Sequence, residues 1–65
     1  MSKDFIFLTQ IAVGCVAVRY SEITYMETLC SGATKVHLSL GIPLIVEESQ
    51  SYILKLIKRQ EDLSD

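Results

Sequence analysis

The chain has 65 residues, 49% of them hydrophobic, with eight acidic and six basic side chains and a net charge of −2. Such a length sets out one domain and buries only about 60% of the surface its unfolded chain exposes, so a lone core is marginal and a staple or partner chain is called for. An isoelectric point near 5.2 argues against a duplex-binding protein, which presents a basic face to neutralise phosphates.

Two cysteines, Cys15 and Cys30, are too few for a disulfide-dense secreted scaffold. Met1-Ser2-Lys3-Asp4 runs directly into a strand-like segment rather than a leader, and no apolar run approaches the roughly 18 to 20 residues of a membrane helix. The expectation is a cytoplasmic protein with no membrane span and two reduced, mostly buried thiols.

In chain order, Phe5-Ile6-Phe7-Leu8-Thr9-Gln10 is rich in strand formers and too short for a helix. Ala12-Val13-Gly14 reads as a tight turn, with Gly14 free to take positive φ. Cys15 to Arg19 is a second strand, completing a hairpin, and Ile23 to Thr28 is a third after the Ser21-Glu22 connection. Cys30-Ser31-Gly32-Ala33 is the next turn. Lys35 to Leu40 then alternates strictly, with Val36, Leu38 and Leu40 on one face and Lys35, His37 and Ser39 on the other. Gly41-Ile42 turns the chain again, and Pro43 opens a short fifth strand, Leu44-Ile45-Val46.

From Glu48 the period becomes helical. Ser49 is the expected N-cap, with Glu47 and Glu48 placed to favour the helix N-terminus. Tyr52, Ile53, Leu56, Ile57 and Leu63 form an apolar stripe, and Lys55, Lys58 and Arg59 lie toward the C-terminal end. The expected architecture is α+β: a small antiparallel meander of four to five strands over about 5–46, one C-terminal helix over about 49–60, and a frayed tail at 61–65. Phe5 and Phe7 oppose Ile6 and Leu8, and Cys15 and Ala17 oppose Val16 and Val18. The second face must therefore meet apolar surface, and another copy of the same sheet is the economical partner.

Candidate chemistry is sparse. His37 is the single histidine and has no Cys, Asp or Glu at metal-ligand spacing in the sequence. No nucleotide-loop, metalloprotease or nucleophile-elbow motif occurs, which implies neither an enzyme nor a cofactor protein. Glu22, Glu27, Glu47 and Glu48 lie near strand ends, where a small domain offers little cleft for paired-carboxylate chemistry. The residues suited to binding are Arg19, Tyr20 and Tyr25, anchors typical of contact surfaces, and Lys35 and His37, which with Arg19 could form a basic spot for a small anion at a subunit interface.

Leu8-Thr9, Val16-x-Val18, Ile23-x-Tyr25-x-Glu27, Val36-x-Leu38, Gly41 and Val46-x-Glu48-Ser49, followed by Ile53 and Ile57, stand at spacings that resemble the FlbD-like (SwrD-like) small flagellar proteins. The resemblance spans roughly Ile6 to Lys58. It implies a short cytoplasmic protein of strands followed by a helix, tied to flagellar function, with no catalytic site. The chain departs from the family where Asn-Gly gives way to Ala12-Val13 and Asn-Pro to Arg19-Tyr20, and its Cys30-Ser31-Gly32 turn is longer. The functional expectation is a non-enzymatic homo-oligomer that docks on another protein through a strand edge or the Tyr20–Tyr25 surface. The alternatives are an oligomeric binder of an anionic nucleotide and a phage anti-defence protein.

Overall fold

A computed structural model describes residues 4–63. Five strands precede one helix: β1 Phe5–Gln10, β2 Gly14–Arg19, β3 Ile23–Thr28, β4 Thr34–Leu38, β5 Leu44–Val46 and α1 Gln50–Leu63. The class is the expected α+β, an antiparallel sheet with a single C-terminal helix.

The strands lie in the order β2-β1-β5-β4-β3, all antiparallel. One hairpin, β1–β2, and one run of neighbours, β3–β4–β5, meet at a seam between β1 and β5. That seam is short: Gln10 opposes Val46, Ile11 N–H donates to the Ile45 carbonyl, and Glu47 N–H donates to the Thr9 carbonyl, both at 2.9 Å. The two edge strands, β2 and β3, are consecutive in the chain. A 3-10 turn of only three residues, Tyr20–Glu22, joins them. In a flat sheet, four strand spacings would separate the edges by about 19 Å, so this connection requires the sheet to curl.

The concave side holds the core. Ile6 and Leu8 of β1, Val18 of β2, Val36 of β4 and Val46 of β5 close around Ile53 of α1, which is fully buried. Val16, Tyr20, Ile23, Met26, Leu38, Leu44, Leu56 and Ile57 pack around this cluster. The alternation expected on β1 and β2 holds: Ile6, Leu8 and Val18 are buried, while Phe5, Phe7, Cys15 and Ala17 are exposed.

The tight turn expected after β1 is present: Val13 N–H donates to the Gln10 carbonyl, and Gly14 takes the expected positive φ, 117°, with Ala12 at φ 68°. Several other local expectations are corrected. The strand predicted over Lys35–Leu40 begins at Thr34 and ends at Leu38. Leu40, assigned to the buried row, is 82% exposed, because the chain leaves the sheet at Ser39 and reverses through Gly41 at φ 85°. Both thiols are exposed rather than buried, and both are free. On the helix, Tyr52 lies outside the covered stripe, which narrows to Ile53, Leu56 and Ile57; Tyr52 is 100° around the axis from Ile53, past its flank. The side chain of Leu63 and residues Ser64 and Asp65 fall outside the described residues. The helix nevertheless runs through Glu61 and Asp62, so the expected frayed tail is helical there, and its last turn carries no basic residue.

Candidate functional site

The convex face of the sheet divides into two halves of opposite character. On β1–β2 it is apolar. Phe7 (66% exposed) sits opposite Ala17, Thr9 opposite Cys15, and Phe5 opposite Arg19. The Arg19 guanidinium lies 5.1 Å from the centre of the Phe5 ring, a cation–π distance, and its Nε is 3.7 Å from the Asp4 carboxylate.

On β3–β4 the convex face is polar and aromatic. Tyr25 and His37 are cross-strand partners whose rings stack with centroids 4.0 Å apart and planes 9° from parallel. His37 Nε2 lies 2.8 Å from Glu27 Oε1; since a carboxylate only accepts, Nε2 carries the hydrogen in this contact. Glu27 in turn opposes Lys35, and Lys35 opposes Ile45. Thr24 Oγ1 donates to the His37 carbonyl at 3.1 Å. One surface thus gathers the exposed Tyr25 and Glu27 with the half-buried Lys35 and His37.

The binding residues expected from sequence therefore separate. Tyr25, Lys35 and His37 come together. Arg19 lies on the opposite edge strand, engaged by Phe5 and Asp4, and does not join Lys35 and His37 in one basic spot. Tyr20 sits in the 3-10 turn and packs against the core, with its N–H donating to the Asp4 carbonyl at 2.8 Å, so it does not share a surface with Tyr25 in the way expected. Sequence reasoning passed over Glu27 as the histidine's partner. The signal was available: a turn centred on Ser31 puts Thr28 opposite Thr34 and hence Tyr25 opposite His37.

A second polar cluster ties the start of the helix to the sheet. Both oxygens of the Glu48 carboxylate accept from Thr9 N–H, at 2.9 and 3.0 Å, beyond the point where β5 ends and could supply a carbonyl. The Glu48 carbonyl accepts from Oγ1 of Thr34, which is fully buried, at 2.6 Å. Gln50 Nε2 donates to Thr28 Oγ1 at 2.7 Å. Ser49 caps the helix as expected: its Oγ accepts from Tyr52 N–H and its carbonyl takes the first helical bond, from Ile53 N–H. Glu48 is thus turned onto the sheet, whereas the Glu47 side chain is exposed. At the other end, Ser39 donates through both N–H and Oγ to the carbonyl and carboxylate of Glu22, fastening the 3-10 turn to the end of β4.

Among the described residues, no three His, Cys, Asp or Glu side chains are grouped to hold a metal ion, and no helix is long and apolar enough to cross a membrane. Comparison with known proteins gives no matching family model, no similar curated protein and no similar solved structure.

Proposed function

We propose that this is a non-enzymatic cytoplasmic interaction protein, working as a homo-oligomer that docks on another protein, in the manner implied by its resemblance to the FlbD-like flagellar proteins. The observation that carries this reading is the amount of large apolar side chain left on the surface. Phe5, Phe7, Ile11, Val13, Tyr25, Leu40, Ile42, Tyr52 and Leu54 are all exposed in a chain whose core centres on six buried apolar residues. Four of these, Phe5, Phe7, Ile11 and Val13, belong to the β1–β2 hairpin, and exposed apolar surface gathered on one element marks a contact site. The β1–β2 half suits self-association, and the Tyr25–His37 platform, with an aromatic ring flanked by both charge signs, suits a second protein. Two free, exposed thiols favour a reducing compartment.

The alternative, a small anionic ligand, draws on Lys35, His37 and Tyr25 sharing one face; Glu27 beside His37 weighs against it. Native mass spectrometry of the full chain tests these readings. Multiples of 7.3 kDa without added mass are expected. Added small-molecule mass turns the assignment to the ligand reading, and a monomer at all concentrations removes the oligomer.

A further inference from the structure

We propose that the β1–β2 turn and the β4–β5 loop together form a membrane-insertion tip, whose aliphatic side chains enter the interface of a phospholipid bilayer. This lipid contact is separate from the protein contacts proposed above and does not rest on them.

The β1–β5 seam sets the two connections side by side at one end of the fold. Ile11 N–H donates to the Ile45 carbonyl, so two residues further along each antiparallel segment Val13 comes level with Pro43. The loop before Pro43 carries Leu40 and Ile42 on either side of Gly41, which reverses the chain at φ 85°. Leu40 and Ile42 are 82% and 81% exposed and Val13 is 69% exposed, the three most exposed large apolar side chains among the described residues. Ile11 beside them is exposed too.

This end carries no formal charge. All six basic and all eight acidic side chains lie outside 10–18 and 38–46, the two segments that meet there. Glu22 reaches only the base of the loop, where its carboxylate and its carbonyl accept from Ser39. The charged helix begins at the other end of the sheet, where Gln50 bonds Thr28 at the close of β3. A charge carried into lipid is costly, and this tip has none to carry. Backbone groups are the remaining cost, and two amides of the turn are already satisfied within the fold: Ile11 N–H on Ile45 and Val13 N–H on Gln10.

Exposed apolar patches mark protein or membrane contacts, and the shape of this one favours lipid. Leu40 and Ile42 project with little of their surface resting on their own chain, so a rigid partner would need a matched socket for each. A fluid bilayer interface closes around any shape. A second copy meeting tip to tip would offer only Ile11, Val13, Leu40 and Ile42, far from the roughly 20–30 residues a side of a standard protein interface. With no cation at the tip, attachment comes from buried apolar area alone. Phosphatidylcholine therefore suffices, and anionic lipid adds nothing.

The test is flotation of the full chain with phosphatidylcholine vesicles. Capture is expected, and it should persist when salt is raised to about 1 M, where charge attraction is screened. Leu40→Asp combined with Ile42→Asp should lower the bound fraction by about tenfold or more, with an unchanged circular dichroism spectrum because both positions are exposed. The chain has no tryptophan, so Leu40→Trp supplies a single reporter. Its emission should shift to the blue with vesicles, whereas Tyr52→Trp on the helix should not shift. No capture of wild type, capture that salt abolishes, or capture that the double substitution leaves unchanged overturns the tip. If the double substitution instead dissociates an oligomer and no vesicle binds, the tip is a protein contact and the lipid assignment falls. The oligomeric state without vesicles reads the protein-docking proposal separately.

Discussion

Glu47 and Glu48 precede the helix cap together and look interchangeable, yet the structure gives them different work, and alanine substitution of each separates the two accounts. If both act as charges near a helix N-terminus, each contributes a comparable 0.3–1 kcal/mol or so. In the structure the Glu48 carboxylate accepts Thr9 N–H through both oxygens, and that donor has no ladder carbonyl to turn to. Removing a charged acceptor from a partly buried amide costs about 2 kcal/mol. Glu47→Ala keeps the backbone bond from Glu47 N–H to Thr9 and loses only an exposed side chain, so it should stay within about 0.5 kcal/mol of wild type. For a domain of this size about 2 kcal/mol lowers the melting temperature by roughly 8–16 °C. It is also a large fraction of a total stability on the order of 3–10 kcal/mol. Glu48→Gln keeps an acceptor oxygen without the charge and should fall between. Urea and thermal unfolding at one fixed protein concentration read the stability, and amide hydrogen exchange reads Thr9 directly. Equal losses at the two positions, or unchanged exchange at Thr9 in Glu48→Ala, would refute the assignment.

Ile53 is the helix residue fully enclosed by the sheet, and Ile53→Ala should cost about 2–5 kcal/mol, leaving the chain largely unfolded at physiological temperature by circular dichroism. Ala12 holds φ 68° in the β1–β2 turn, so Ala12→Gly should raise stability by about 1 kcal/mol in urea unfolding. Gly14→Ala, whose new methyl meets nothing within 4 Å, should lower stability by about 1 kcal/mol or more through backbone strain alone. A double-mutant cycle with Tyr25→Ser and His37→Ser should return a coupling of about 0.2–1 kcal/mol for the stacked pair; a coupling of zero would mean the rings do not stack in solution.

Much of the local structure was legible because it is written in short-range chemistry. The boundaries of β1, β3 and β5 follow from strand-forming runs between turns, and Ser49 announces the helix because its hydroxyl is the natural acceptor for Tyr52 N–H. Leu40 misled because alternation persists in the sequence for two residues after the backbone has left the sheet. The strand order was not legible, since the β1–β5 seam joins residues more than thirty positions apart through a single bridge pair. Of the candidate site, Tyr25, Lys35 and His37 were found from residue type and strand polarity. Their separation from Arg19 and Tyr20, and the sheet-facing role of Glu48, depend on that same unseen strand order.

The β1–β5 seam also divides the molecule along its length. Residues 5–19 close a hairpin through a three-residue turn, and residues 23–46 close β3–β4–β5 through short connections, so each half is assembled almost wholly from neighbours in the chain. Contacts local in sequence form with little loop-closure entropy. The seam, by contrast, must wait until both halves exist, and its last fastener, the Glu48 carboxylate, belongs to neither ladder. The protein is in effect two small sheets clasped by the strand-to-helix junction. That clasp and the core shared around Ile53 are what hold the two halves together.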